Sequence, residues 1–453
     1  MLTYELKKMP GLPLYEALYR CIRTDILSGR LAAGEKLPSK RALAENLEVS
    51  KITVEGAYAQ LLDEGYIRSE EKVGYFVEQG WQQPTKSDEK PTKNDDLPPQ
   101  ALIDLTANGS ARFPFSVWSR LQRQVMLDEG EELLQSLPNQ GLFALRSAIA
   151  RHLQNFRGMQ VQPENILVGA GTDFLYNLLI QLLGRDKVYA VEEPGYSKIR
   201  MIYGAGGVAC VSAPMDDRGV LPDKLGNAQV LHISPSHHFP TGIITPMPRR
   251  QALLDWARSG DNWIIEDDYD TEFRFHAHPM AAMQAMAPDR VIYMNTFSKT
   301  LAGSIRISYM VLPGALMARF QEALGFYSCT VPSFEQHILA RFLEEGHFEK
   351  HINRMRKFYK ARRNRVLAAI TGCPAAGKLT VLEENAGLHF LLKVETTLSD
   401  AALVEGFARA GIRLRSLGSY YHEALCRDTH TLVINYSALT DEDITTLEKT
   451  LGK

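Results

Sequence analysis

Between Gln82 and Gln100 the chain reads QQPTKSDEKPTKNDDLPPQ, with four prolines, many charges, no aromatic residue and a single large aliphatic, Leu97. Such a stretch cannot bury enough apolar surface to offset the entropy of ordering it. It therefore predicts an exposed linker over 81–101, and it confines everything else to two separate units, 1–80 and 102–453. At 453 residues and 45% hydrophobic content the chain is long enough for two or three ordinary globular domains. No repeat at a fixed period appears on either side of the linker. The start, MLTYELKKMPGLPLYEALY, lacks the apolar centre of a secretion signal, and no run approaches the roughly 20 apolar residues of a membrane span. Cys21, Cys210, Cys329, Cys373 and Cys426 are scattered, with neither metal-ligand spacing nor a disulfide framework. The expectation is a cytoplasmic protein with no membrane and no metal site.

In the front unit, Pro13 to Gly29 carries Leu14, Ala17, Leu18, Cys21, Ile22 and Ile26 at helical spacing, with Gly29 as a stop. In LPSKRALAENLEVSKITVEGAYAQLLDEGYI, Ser39 can cap a second helix whose Ala42, Leu43 and Leu47 face inward. A tight turn at Glu48 to Ser50 then starts a third helix, with Val54, Ala57, Leu61 and Leu62 on one face. YIRSEEKVGYFV follows as a hairpin with Gly74 at its turn. Two short helices joined by a tight turn and followed by a hairpin predict a winged helix-turn-helix, its third helix entering the DNA major groove.

Residues 1–80 hold eleven Lys/Arg against twelve Asp/Glu, a net of −1, which is a poor total for binding phosphates. Distribution matters more, because Lys36, Lys40, Arg41 and Lys51 cluster at two helix starts and Lys72 lies on the wing. The expected DNA-facing residues are Ser39, Lys40, Arg41, Ser50, Lys51 and Thr53 at those starts, with Gly74 on the wing. The stretch resembles the GntR-type signature LPSxRxLAxxLxVSxxTVxxAYxxLxxEGY almost position by position. It departs at Lys51, where the family more often has Arg; lysine keeps the phosphate charge but gives up bidentate base reading.

Beyond the linker, apolar strand-like runs alternate with helical ones: NILVGAG, KVYAVEEPGY, GGVACVSAP, QVLHISPSH, NWIIEDDYD, RVIYMNTFSK and ISYMVLP. Alternation of this kind predicts an α/β unit with a mostly parallel sheet and a ligand at the carboxyl ends of its strands. After one strand Gly171-Thr172 opens a helix, a ready anion site. EDDYD places Asp267 and Tyr269 two apart on one side of an extended chain. A third strand leads to Thr296, Ser298 and Lys299, with Arg306 seven residues on. A phosphate-bearing aldehyde needs an amine, an anion site, an acid against its ring nitrogen and a donor to its phenolic oxygen, and all four are present.

Their order resembles that of fold-type I pyridoxal 5′-phosphate (PLP) enzymes, the class I/II aminotransferases. With the front domain, nearly the whole chain resembles the MocR subfamily of GntR transcription regulators. The resemblance implies a covalent aldimine on Lys299 and a ring-nitrogen contact from Asp267, with neighbouring Asp268 as the alternative. It also implies Tyr269 on the phenolic oxygen, Tyr196 of EEPGY stacked on the ring, and a phosphate cup of Thr296, Ser298, Arg306, Gly171 and Thr172. SPSHHFPTG resembles the aminotransferase NPTG loop with Phe239 in place of asparagine, so His237 or His238 is expected to substitute. The arginine that grips a substrate carboxylate in IRLxFS is Val433 in LVINYSAL, and Arg413 or Arg415 of GIRLRSLGSYY is the expected replacement. The family further implies a homodimer with each DNA-binding head over its partner's large domain. Two functions stay open: a regulator that binds operator DNA and senses PLP or a small amine-bearing effector, and a working aminotransferase with a DNA-binding appendage.

Overall fold

A computed structural model of the chain describes residues 2–4, 6, 12–78, 103–107, 109, 112–275, 280–384, 387–422 and 428–451. Contacts divide it into two compact units, Met1–Leu97 and Pro98–Lys453. The expected linker over 81–101 and Cys426 lie outside the described residues.

The front unit is built around helices Leu14–Leu27, Lys40–Asn46 and Lys51–Asp63. The two short helices begin where serine can satisfy an otherwise unpaired N–H: Ser39 Oγ accepts from Ala42 N and Ser50 Oγ from Thr53 N. Those hydroxyls are thus committed to building the helix starts. Leu18, Ile22, Leu43, Val54, Ala57 and Leu61 form the core, and the Tyr58 hydroxyl donates to Pro38 O at 2.9 Å. Strands Ile67–Glu70 and Gly74–Val77 form the wing, with Lys36–Leu37 added antiparallel. The wing turn needs left-handed backbone at Lys72 (φ 60°) and at Gly74 (φ 140°), and glycine meets the second requirement without a Cβ penalty.

In the second unit an eight-stranded sheet runs in the order 166–169, 308–311, 291–296, 263–267, 230–233, 188–193, 209–216, 219–220. Strands 188–193, 209–216, 230–233, 263–267 and 291–296 are parallel, while Ser308–Val311 lies antiparallel between two neighbours. The central strands are buried on both faces, as their continuous apolar runs require. Ile265, Ile292 and Met310 face the cluster of helices Thr172–Leu183 and Gly314–Leu324, whereas Ile264 and Val291 face that of Met247–Arg258. A separate four-stranded antiparallel sheet, in the order 379–382, 389–394, 431–435, 415–416, follows toward the C-terminus. No helix among the described residues is long and apolar enough to cross a membrane.

Candidate cofactor and effector site

Register brings the sequence-separated polar residues to one edge of the large sheet. Gly169 pairs with Ser308 and Ser308 with Thr296, so two strand ends flank the first residue of the antiparallel strand, and Asp267 ends the next strand over. A cavity of about 260 Å³ opens at this edge.

One end of the cavity suits an anion. Thr172 opens the helix Thr172–Leu183, whose first N–H groups and dipole point outward. Gly171, at φ 90°, precedes it; a Cβ there would lie 2.2 Å from Arg306 Nη2, so only glycine lets the guanidinium reach this end. Thr296 caps the short helix Phe297–Thr300 by accepting from Ser298 N at 3.1 Å, and receives the Ser308 hydroxyl at 2.8 Å. Its oxygen therefore shapes the turn, while Ser298 Oγ is buried without a partner. Asp173 shares this end, 3.4 Å from Arg306 Nη2 and 2.7 Å from Lys198 Nζ, so two cations surround one carboxylate.

The floor suits a ring nitrogen and a phenolic oxygen. Asp267 Oδ2 accepts from the Tyr176 hydroxyl and lies 3.4 Å from His232 Nε2, while Asp267 Oδ1 is buried without a partner. The adjacent Asp268 faces away from the cavity, 2.9 Å from Arg157 Nη2 and accepting from the Tyr293 hydroxyl at 2.7 Å. Of the two, Asp267 lines the cavity and Asp268 does not. The Tyr269 hydroxyl is also buried and unpartnered; burial first, then Asp270 and Asp267, hold it protonated far above its ordinary range. Lys299 lines the cavity, and burial lowers its ammonium pKa against the opposing pull of Asp270 and Asp267. Tyr196 stands at the rim, half exposed.

The expected histidines do not reach the cavity wall. His238 Nδ1 bonds Thr241 Oγ1 at 2.7 Å, and its Nε2 lies 3.5 Å from Glu192, which itself lines the cavity. Burial pushes His238 down to about 3 and Glu192 up to about 8, so near neutrality this pair is uncharged. His237 sits behind Asp270, 2.9 Å from it, and packs so closely on Gly387 that a Cβ there would come within 1.8 Å of the ring. Both arginines are exposed; Arg413 is 3.7 Å from Asp104, in a small parallel strand pair, and Arg415 lies directly opposite cavity-lining Val433. Tyr176, His232, Glu192, Asp270 and Lys198 were not singled out from sequence. Tyr176 follows Thr172 at i+4, and Asp270 closes the EDDYD run, so both carried a readable positional signal.

Asp267→Asn is expected to weaken PLP binding and slow amine exchange on the bound cofactor, because an amide does not hold a proton on the ring nitrogen. Equilibrium dialysis with PLP and stopped-flow mixing with amines check this; unchanged values remove Asp267 from the site.

Residues 100–451 match the family model for aminotransferase class I and II, and residues 14–77 that for bacterial regulatory proteins of the gntR family. The HTH-type transcriptional regulator YdeL of Bacillus subtilis is 35% identical over 98% of this chain and 97% of its own. The probable rhizopine catabolism regulatory protein MocR of Rhizobium meliloti is 31% identical over 90% of this chain and 88% of its own. Among solved structures, Pyrococcus horikoshii kynurenine aminotransferase in complex with PMP superposes with a TM-score of 0.66 at 24% identity, covering 78% of this chain and 91% of that one. That likeness establishes a shared fold.

Proposed function

For a chain that belongs to the MocR subfamily of GntR transcription regulators, an HTH head joined to a class I and II aminotransferase domain, we propose the following division of labour. The C-terminal unit holds PLP on Lys299, and occupancy by PLP or by a small amine-bearing effector sets the affinity of the N-terminal unit for operator DNA. The observation that carries this reading is the trio of buried polar atoms, Asp267 Oδ1, Tyr269 OH and Ser298 Oγ, that have no hydrogen-bond partner among the described residues, at a cavity that Lys299 also lines. Unpaired buried polar groups are costly, and these three match the ring nitrogen, phenolic oxygen and phosphate of one molecule.

When bound, PLP supplies an aldehyde for exchange between amines and a ring that withdraws electrons. The chain's own residues do the rest. Lys299 offers a desolvated amine, neutral at lower pH than a solvated lysine. Asp267 Oδ1 holds a proton on the ring nitrogen, and the Tyr269 hydroxyl donates to the phenolic oxygen. Ser298, Arg306 and the helix start after Gly171 hold the phosphate, while Tyr196 covers the ring from the rim. As a homodimer in the cytoplasm the protein would present two half-site readers to its operator.

An effector shifts operator affinity only through its different affinity for two arrangements of the protein, and the coupling is reciprocal. Titrating operator with apo and PLP-loaded protein, then adding amino acids and simple amines, should reveal a ligand whose own affinity changes by the same factor when operator is present. Multiple turnover at ordinary aminotransferase rates, roughly 1 to 1,000 per second, with operator binding indifferent to PLP and to every amine, would establish the enzyme reading instead.

On the DNA side, Arg41 and Lys51 are exposed and, among the described residues, paired with Glu45 and Glu55 of their own helices, while Lys40 lies over the Tyr75 ring at 5.2 Å. Exposed helix pairs of this kind are weak and yield readily to phosphate. Lys40→Ala, Arg41→Ala and Lys51→Ala should each weaken binding and reduce the salt slope by about one. If all three leave slope and affinity intact, the docking face lies elsewhere.

A further inference from the structure

We propose that Arg415, together with Tyr420, forms the carboxylate subsite of the effector cavity, and that the effector is an α-amino acid with an apolar or aromatic side chain. The inference rests on Lys299 being the cofactor lysine, as proposed above. Val433 and Tyr420 line the cavity. Arg415, itself exposed, is the direct antiparallel partner of Val433, and directly opposed residues project from the same face of a sheet, so Arg415 shares the face through which Val433 meets the cavity. Arg415 is also close enough to Tyr420 to pull its pKa down against the larger raising effect of burial.

The other cations near the cavity are already placed. Arg306 and Lys198 share Asp173 at the anion end, and Lys299 is central. Arg413 faces Asp104. Among the described residues no carboxylate lies within ion-pairing distance of Arg415, which leaves a rigid, planar donor for a carboxylate.

The walls on this side are aromatic and uncharged. Phe239 stands edge-on to Tyr420 at 5.2 Å, to His389 at 5.1 Å and to Tyr196 at 6.0 Å, and Leu388 and Leu105 complete the lining. His389 is buried and, among the described residues, makes no ion pair, its Nε2 donating to Pro240 O at 3.1 Å. A charged effector side chain would be desolvated here without a partner, which is costly; an apolar one would not.

The test uses the full-length PLP-loaded protein and follows the visible absorbance of the lysine-bound cofactor. L-Phenylalanine is compared with 2-phenylethylamine, the same molecule without the carboxylate, and with L-aspartate and L-lysine. Phenylalanine should half-saturate at a concentration about 10-fold or more below that of phenylethylamine, aspartate and lysine. Arg415→Leu should raise the phenylalanine value about 10- to 100-fold and leave phenylethylamine and the resting cofactor spectrum unchanged. Val433→Arg in the Arg415→Leu background should recover much of the loss, because it returns a guanidinium to the directly opposed position; a merely structural role for Arg415 would not be rescued this way. An unchanged phenylalanine-to-phenylethylamine ratio in Arg415→Leu overturns the subsite, and a preference for aspartate or lysine overturns the apolar class. Absence of a lysine-bound cofactor in the unsubstituted protein overturns the Lys299 reading itself, and this inference falls with it.

Discussion

Lys299→Ala protein is expected to retain no cofactor that borohydride can fix to the chain, and to lose the visible absorbance of lysine-bound PLP completely. The strand Val291–Thr296 delivers the chain to the cavity edge, and the Thr296-capped turn that follows fixes where Lys299 points. Burial lowers the ammonium pKa, so the nucleophilic amine is available at lower pH than in free lysine. Raising pH through the lowered pKa should therefore speed PLP capture by apo protein, and the rate should level off below the pH at which a solvated lysine would. Asp270 and Asp267 oppose this shift, so Asp270→Asn should move the plateau to still lower pH. The anion end, formed by Arg306, Ser298 and the helix start, remains in Lys299→Ala, so reversible PLP binding should persist with reduced affinity. Peptide mapping after reduction decides the matter: an adduct on any other lysine removes Lys299 from its role.

Arg157→Ala should destabilise the C-terminal unit by about 3–5 kcal/mol, the range for breaking a buried ion pair from one side. Arg157 is 3% exposed and Asp268 1%, their charges are 2.9 Å apart, and the guanidinium also bonds Ser236 Oγ at 3.0 Å and Met280 O at 2.8 Å. Truncation leaves Asp268 buried with the Tyr293 hydroxyl as its side-chain donor among the described residues and with Arg250 and Arg274 farther off, beside the buried carboxyls Glu266 and Glu272. A denaturant midpoint for the large unit, with Arg157→Ala, Asp268→Ala and the double variant, measures the pair. Removing both charges should cost less than removing the arginine alone. A loss below about 1 kcal/mol for Arg157→Ala would mean that the pair is not held as described.

The helix-turn-helix and the alternating strands were legible in the sequence because each rests on local physics. Serine hydroxyls cap the helix that follows them, and apolar periodicity reports which elements can be covered. The Lys299 turn was legible for the same reason, since a lysine among hydroxyls at the end of an apolar strand carries its own local signal. Strand order was not legible: Ser308–Val311 inserts antiparallel beside Ile166–Gly169, a pairing across about 140 positions that no local pattern encodes. Choices between near neighbours also waited for tertiary structure. Asp267 and Asp268 are chemically equivalent in the chain, and only register and packing decided that Asp267 lines the cavity while Asp268 is taken up by Arg157. His237 and His238 were placed near the site by sequence and behind it by structure, because Asp270 and Glu192 occupy the wall in front of them. Chain chemistry limits which groups can serve a site; the long-range pairing of strands determines which of them share one cavity.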